Sequence, residues 1–129
     1  MRVMVKFVLA IVILASVPLL GAMRPALSAE LLVVTRDGCP WCARWRKEIA
    51  PAYPKTAEGK SAPFREIDIT NGWPDEMADV QQESITPTFI LLEDGVEIGR
   101  MRGYPGDEFF WFLLNEMLAK LNVKSKGGS

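Results

Sequence analysis

The only two cysteines of this 129-residue chain stand in Asp37-Gly38-Cys39-Pro40-Trp41-Cys42, and the chain has no histidine. Zinc wants four ligands and this pair supplies two, so a metal site would need carboxylates or a second chain. Covalent haem attachment requires C-x-x-C-H, and Ala43 follows Cys42, which excludes it. A purely structural disulfide across so short a loop gains little, because the unfolded-state entropy it removes grows with loop length. Thiol redox chemistry fits the placement best. If Cys39 lies where a strand ends and a helix begins, its sulfur faces unpaired N–H groups and the positive end of the helix dipole, which favour thiolate over thiol. Cys39 is then the expected nucleophile and Cys42, one turn on, the buried resolving thiol.

The flanking elements support that placement. Glu30 leads into "LLVVT", a β-branched apolar run that predicts a buried strand, and "RDG" breaks it before Cys39. Pro40 suits the first helical position, where its missing N–H costs nothing. Trp41, Trp45 and Ile49 then recur at i, i+4 and i+8, predicting one helix face up to Ala50, with Pro51 and Pro54 ending or kinking the helix. "KTAEGKSAP" is expected to be a polar connection. "FREIDIT" alternates and predicts a second strand with one exposed side, while "DEMADVQQ" predicts a short helix from its acidic first turn. "TPTFILL" and "VEIGRMR", joined through Glu93-Asp94-Gly95, predict a hairpin. "PGDEFFWFLLNEMLAKL" predicts a final helix with Phe110, Leu113, Leu114, Met117 and Leu121 on its packed face. The order is β-α-β-α-β-β-α. The first two strands are expected to be parallel by the right-handed crossover rule, in a four-stranded mixed sheet flanked by helices.

The N-terminus has a separate role. Arg2 and Lys6 precede an unbroken apolar run from Phe7 to Ala22, and "MRPALSAE" offers small residues for cleavage after Ser28 or Ala29. This is the pattern of a secretory signal over residues 1–29. As a membrane span the run falls short of the roughly 20 apolar residues needed, and Pro18 and Gly21 interrupt its end. The domain proper is expected over residues 30–121, with 122–129 a flexible tail. Arg2, Lys6 and Arg24 all precede residue 30, so the 15 basic residues fall to 12 against 16 acidic ones, about −4 for the exported part. No basic stripe is left to neutralise phosphates, which excludes a nucleic-acid footprint.

Three marks together resemble the thioredoxin-fold superfamily of thiol-disulfide oxidoreductases: "CPWC" after the first strand, "TPTF" opening the third, and "RMRGYPGDEF" before the last helix. The resemblance runs from about Glu30 to Leu121 and implies an α/β, thioredoxin-like domain of glutaredoxin size. It implies that Thr86-Pro87 is cis, with Pro87 against the active disulfide, and that a partner chain pairs with the backbone at Thr86 as an added strand does. Gly38 replaces the tryptophan that precedes the first cysteine in thioredoxins, and Val33 replaces their buried aspartate. The glycine pair and acidic turn that hold glutathione in glutaredoxins are reduced to "GYPGDE". Among its members the chain is most similar to the small periplasmic thioredoxin-like proteins that accompany bacterial sulfur-oxidation systems and keep a carrier protein's cysteine reduced.

That similarity implies a periplasmic protein working on protein thiols or disulfides, needing no cofactor or metal, and fed by a membrane protein that carries electrons outward. Trp41, where strong oxidases have histidine, leans toward a reductase. An oxidase or isomerase, and a non-catalytic binding module with an inert disulfide, are the alternatives. Trp41 either offers a contact surface beside the reactive sulfur or covers the helix face with Trp45. Tyr104 and Pro105 either line the same groove or simply form the turn before the last helix. Arg44 and Arg46 either lower the Cys39 pKa or form a solvated helix face.

Overall fold

The computed structural model describes residues 29–126; the expected secretory signal lies outside the described residues except for Ala29, and so does the end of the expected tail. Among the described residues, four strands form one mixed sheet in the order β2-β1-β3-β4: β1 (Ala29–Thr35), β2 (Phe64–Asp68), β3 (Thr88–Glu93) and β4 (Val96–Arg102). β1 and β2 are parallel, with Leu31 opposite Phe64 and Thr35 opposite Asp68. The β1–β3 and β3–β4 pairs are antiparallel. The β3–β4 hairpin turns at Asp94 and Gly95, both at positive φ (54° and 78°), as a tight turn matched to strand twist requires.

The central strands are apolar through their middles, Leu31–Val34 and Phe89–Leu92, because both sheet faces are covered there. On one face Leu31, Val33, Phe89 and Leu91 pack under α1 (Pro40–Glu48) and α3 (Asp107–Lys126). This side of the core is aromatic: Trp45 meets Phe64 edge-on at 5.2 Å and Phe89 at 5.6 Å, and Phe89 meets Phe110 at 5.0 Å. On the other face Leu32, Val34, Ile67, Ile69, Ile90 and Leu92 are covered by Met77, Val80 and Trp73. The first face therefore fixes α1, and with it the cysteine pair.

Three elements differ from expectation. The polar connection contains a short helix, α2 (Ala57–Ser61), whose N-cap Thr56 accepts the Gly59 N–H. Gly59 is required there, since a Cβ would lie 1.9 Å from the Tyr53 carbonyl oxygen. Conversely, "DEMADVQQ" forms only a 3-10 turn at Asp75–Met77. The Trp73 indole donates to the Met77 carbonyl at 2.9 Å, and so does the Val80 N–H, at 3.0 Å. The acceptor that would continue an α-helix is thus occupied. Third, α3 continues beyond Leu121 to Lys126. Of the aromatic run in α3, Phe110 is buried while Phe109 and Phe112 are exposed, and Leu113 is also partly exposed.

Candidate active site

Cys39 and Cys42 form a disulfide with Cα atoms 5.3 Å apart. The local sequence explains their position. β1 ends at Thr35, and Gly38 turns the chain at φ +71°, a left-handed value that favours glycine even though nothing crowds its Cβ position. Asp37 N–H donates to Thr70 Oγ1 at 2.9 Å, tying this turn to the segment after β2. Cys39 is the N-cap of α1, with extended φ and ψ of −87° and 106°, and Pro40 begins the helix. The Cys42 N–H donates to Cys39 Sγ at 3.1 Å, so this sulfur stands at the helix N-terminus as the spacing implied. Cys42 is fully buried and Cys39 only partly. Val33 is fully buried in the apolar core, so that position provides no proton acceptor for the inner thiol.

The expected face of three residues on α1 divides. Trp45 and Ile49 are buried, whereas Trp41 is 53% exposed beside the disulfide. The Arg44 guanidinium lies 5.7 Å from the ring centres of both Trp41 and Tyr104. Glu48 holds it there: Arg44 Nε donates to Oε1 at 2.7 Å, and the Tyr104 hydroxyl donates to Oε2. Those two hydrogen bonds, Tyr104's first, hold the Glu48 carboxyl below the usual glutamate range. Burial and the bond to Glu48 push the Tyr104 phenol up, so it stays a donor at neutral pH. Tyr104 is buried and Pro105 exposed. Arg46 pairs with Glu66, so both helix arginines have carboxylate partners.

Thr86-Pro87 is cis. Val34 sits opposite Thr88, so Pro87 enters β3 at the sheet end where β1 leaves toward Cys39. The Pro87 carbonyl accepts the Gly103 N–H at 2.7 Å, next to Tyr104. Pro87 is buried, Thr86 is partly exposed, and Ile85 is 49% exposed. The Arg36 guanidinium donates to the Ser84 carbonyl at 3.1 Å, joining the cysteine loop to the Pro87 loop. Sequence reasoning passed over Glu83, Arg36, Arg100 and Glu48; an isolated charged residue carries no local signal of a partner many positions away. Among the described residues, no group of three or more His, Cys, Asp or Glu could hold a metal ion. No helix among them is long and apolar enough to cross a membrane.

A mixed four-stranded sheet, a C-x-x-C pair capping the helix after β1, and a cis-proline opening β3 define a thiol-disulfide oxidoreductase of the thioredoxin fold. No family model matches the sequence, and no curated protein does. Solved structures do. The reduced form of the periplasmic thioredoxin SoxS from Paracoccus pantotrophus shares 40% identity, over 73% of this chain and 99% of that one, with a TM-score of 0.66. The chain belongs to the thioredoxin family, with SoxS as a near relative. Thioredoxin f2 of Chlamydomonas reinhardtii (16% identity, 69% and 78% of the two chains, TM-score 0.55) shares the fold. So does spinach chloroplast thioredoxin f (22% identity, 72% and 76%, TM-score 0.53).

Proposed function

We propose that this protein is an exported reductase of protein disulfides, with Cys39 as nucleophile and Cys42 as resolving thiol. The observation that carries the roles is the asymmetry of the pair: Cys39 is partly exposed at a helix N-terminus, and Cys42 is fully buried one turn inside. In the reduced protein the Cys39 thiolate attacks one sulfur of a partner disulfide. The partner's S–S bond breaks, its second sulfur leaves as thiolate, and a mixed disulfide forms. The Cys42 thiolate then attacks Cys39 Sγ. The partner departs with both sulfurs reduced, and the Cys39–Cys42 disulfide closes, so two electrons have passed.

The partner pairs with the backbone at Thr86, next to Pro87, and rests against the exposed Trp41, while Gly38 and Pro40 shape the approach. The buried Tyr104, expected to offer a contact, instead backs Arg44 and Glu48 from beneath. An exported reductase needs its own disulfide re-reduced, and a membrane protein that carries electrons outward meets that need. The periplasm as the site of action draws support from the basic and apolar N-terminus and from similarity to a thioredoxin described as periplasmic. A sulfur-carrier protein's cysteine held in a disulfide is the substrate that this similarity suggests.

Trapping tests the roles. Cys42→Ser protein, incubated with a protein disulfide such as insulin, is expected to accumulate a mixed disulfide on non-reducing gels, and Cys39→Ser none. The opposite pattern would reverse the two roles. No adduct with either variant would favour an inert disulfide in a binding module.

A further inference from the structure

Between the turn at Asp75–Met77 and the start of β3 the chain forms neither helix nor strand, yet this segment presents Ile85, Thr86 and Pro87. Such loops are ordinarily mobile unless tied down. Here Glu83 ties it. Its Oε1 accepts the N–H of Ser84 at 2.9 Å and of Ile85 at 3.1 Å. Its Oε2 accepts Arg100 Nη1 at 3.0 Å and Arg102 Nε at 2.7 Å. Arg100 also donates to the Gln81 carbonyl at 3.0 Å and pairs with Glu97 at 2.6 Å. One carboxylate therefore joins two successive backbone amides of the loop to two arginines of β4.

This ion pair is not a surface ornament. The Glu83 and Arg100 side chains are only 6% and 8% exposed. Desolvating both charges offsets much of their attraction, so an apolar pair could hold the fold as well. What an apolar pair could not supply is direction. Arg100 is itself fixed by a two-pronged grip on Glu97 through Nε and Nη2, its Nη1 reaches Glu83, and the two Glu83 oxygens pass that orientation to the loop backbone. The orientation fixed is that of Ser84 and Ile85, immediately before Thr86.

We propose that Glu83, braced by Arg100 and Arg102, is a positioning residue for exchange with protein substrates, holding the Ile85–Thr86 backbone ready for a partner strand. This rests on the reading that the partner pairs at Thr86. Without the clamp, the loop must be ordered at each encounter, and that cost falls on substrate binding. A small disulfide reacts at Cys39 without pairing to the loop and does not meet the cost.

The test compares Glu83→Gln, which keeps the shape and removes the charge, with the unaltered protein. The KM for insulin as the protein disulfide is expected to rise about tenfold, with kcat, the redox equilibrium constant of Cys39–Cys42 and the rate with a small aromatic disulfide each within about twofold. Arg100→Lys, which loses the fork from the other side, is expected to shift KM the same way. An unchanged KM in both variants, or an equal loss on insulin and the small disulfide, would overturn the clamp. Docking is tested apart from it. Cys42→Ser protein is trapped with a peptide bearing a pyridyl disulfide, and amide exchange is read at Thr86. No slowing there rejects docking at Thr86; slowing together with an unchanged KM in Glu83→Gln rejects the clamp alone.

Discussion

The two loops that form the site are held by different physics. The loop from Arg36 to Cys39 is shaped mainly by its neighbours in sequence: a left-handed glycine, a cysteine that caps its own helix, and a proline at the first helical position, with one bond from outside, Asp37 N–H to Thr70 Oγ1. The Pro87 loop is shaped by charges that arrive from elsewhere, Arg100 and Arg102 on β4 and Arg36 from the cysteine loop. The sulfur proposed to react therefore sits on a turn that its local residues largely specify. The surface proposed to receive a partner depends on the completed sheet. Chemistry and recognition are thus separable, and each loop can be broken without first breaking the other.

The largest stability effect is expected at the charged loop. Glu83→Ala leaves Arg100 buried with Glu97 as its remaining carboxylate, which is expected to cost about 3 kcal/mol, the low end for breaking a buried pair. Denaturant unfolding monitored by tryptophan fluorescence measures it. Gly38→Ala forces a left-handed backbone on a residue with a Cβ and is expected to cost about 1 kcal/mol, because no atom crowds that position. A loss as large as that of Glu83→Ala would show that the cysteine turn is no more locally determined than its neighbour.

The smallest effect is one of pH. Burial pushes the Glu83 carboxyl up, but the N–H groups of Ile85 and Ser84 and the two arginines outweigh it, leaving its pKa below the ordinary 4.5. Glu48 is lowered too. A carboxylate with a depressed folded pKa contributes stability that is present above its unfolded pKa and lost as pH falls through the folded one. Unfolding free energy is therefore expected to decline below about pH 4.5, and less steeply in Glu83→Gln. Equal acid slopes would remove Glu83 from the account.

What could be read in advance follows the same division. β1 and β3 were legible because strands covered on both faces become continuous apolar runs, and the helix after Cys39 because proline and the cysteine spacing mark its start. The parallel β1–β2 pair followed from crossover handedness. The short helix at Ala57–Ser61 was hidden in polar residues, and its necessity shows only where Gly59 meets the Tyr53 backbone. The helix expected from Asp75 failed because the Trp73 indole takes a carbonyl the helix needed. Trp41 had the spacing of a buried residue, but at the helix tip it extends beyond the core and stands against Arg44. At the site, the cysteines and Pro87 were visible as motifs. Glu83 and Glu48 were not, because their partners lie far away in the sequence.

The central claim is that this pair serves as a reductant, and its reduction potential tests that most directly. Equilibrating the protein against a graded thiol–disulfide buffer, with tryptophan fluorescence as readout, is expected to place Cys39–Cys42 near thioredoxin's value, about −270 mV. A value near −120 mV, at the strongly oxidising end, would contradict the account and make the protein a donor of disulfides.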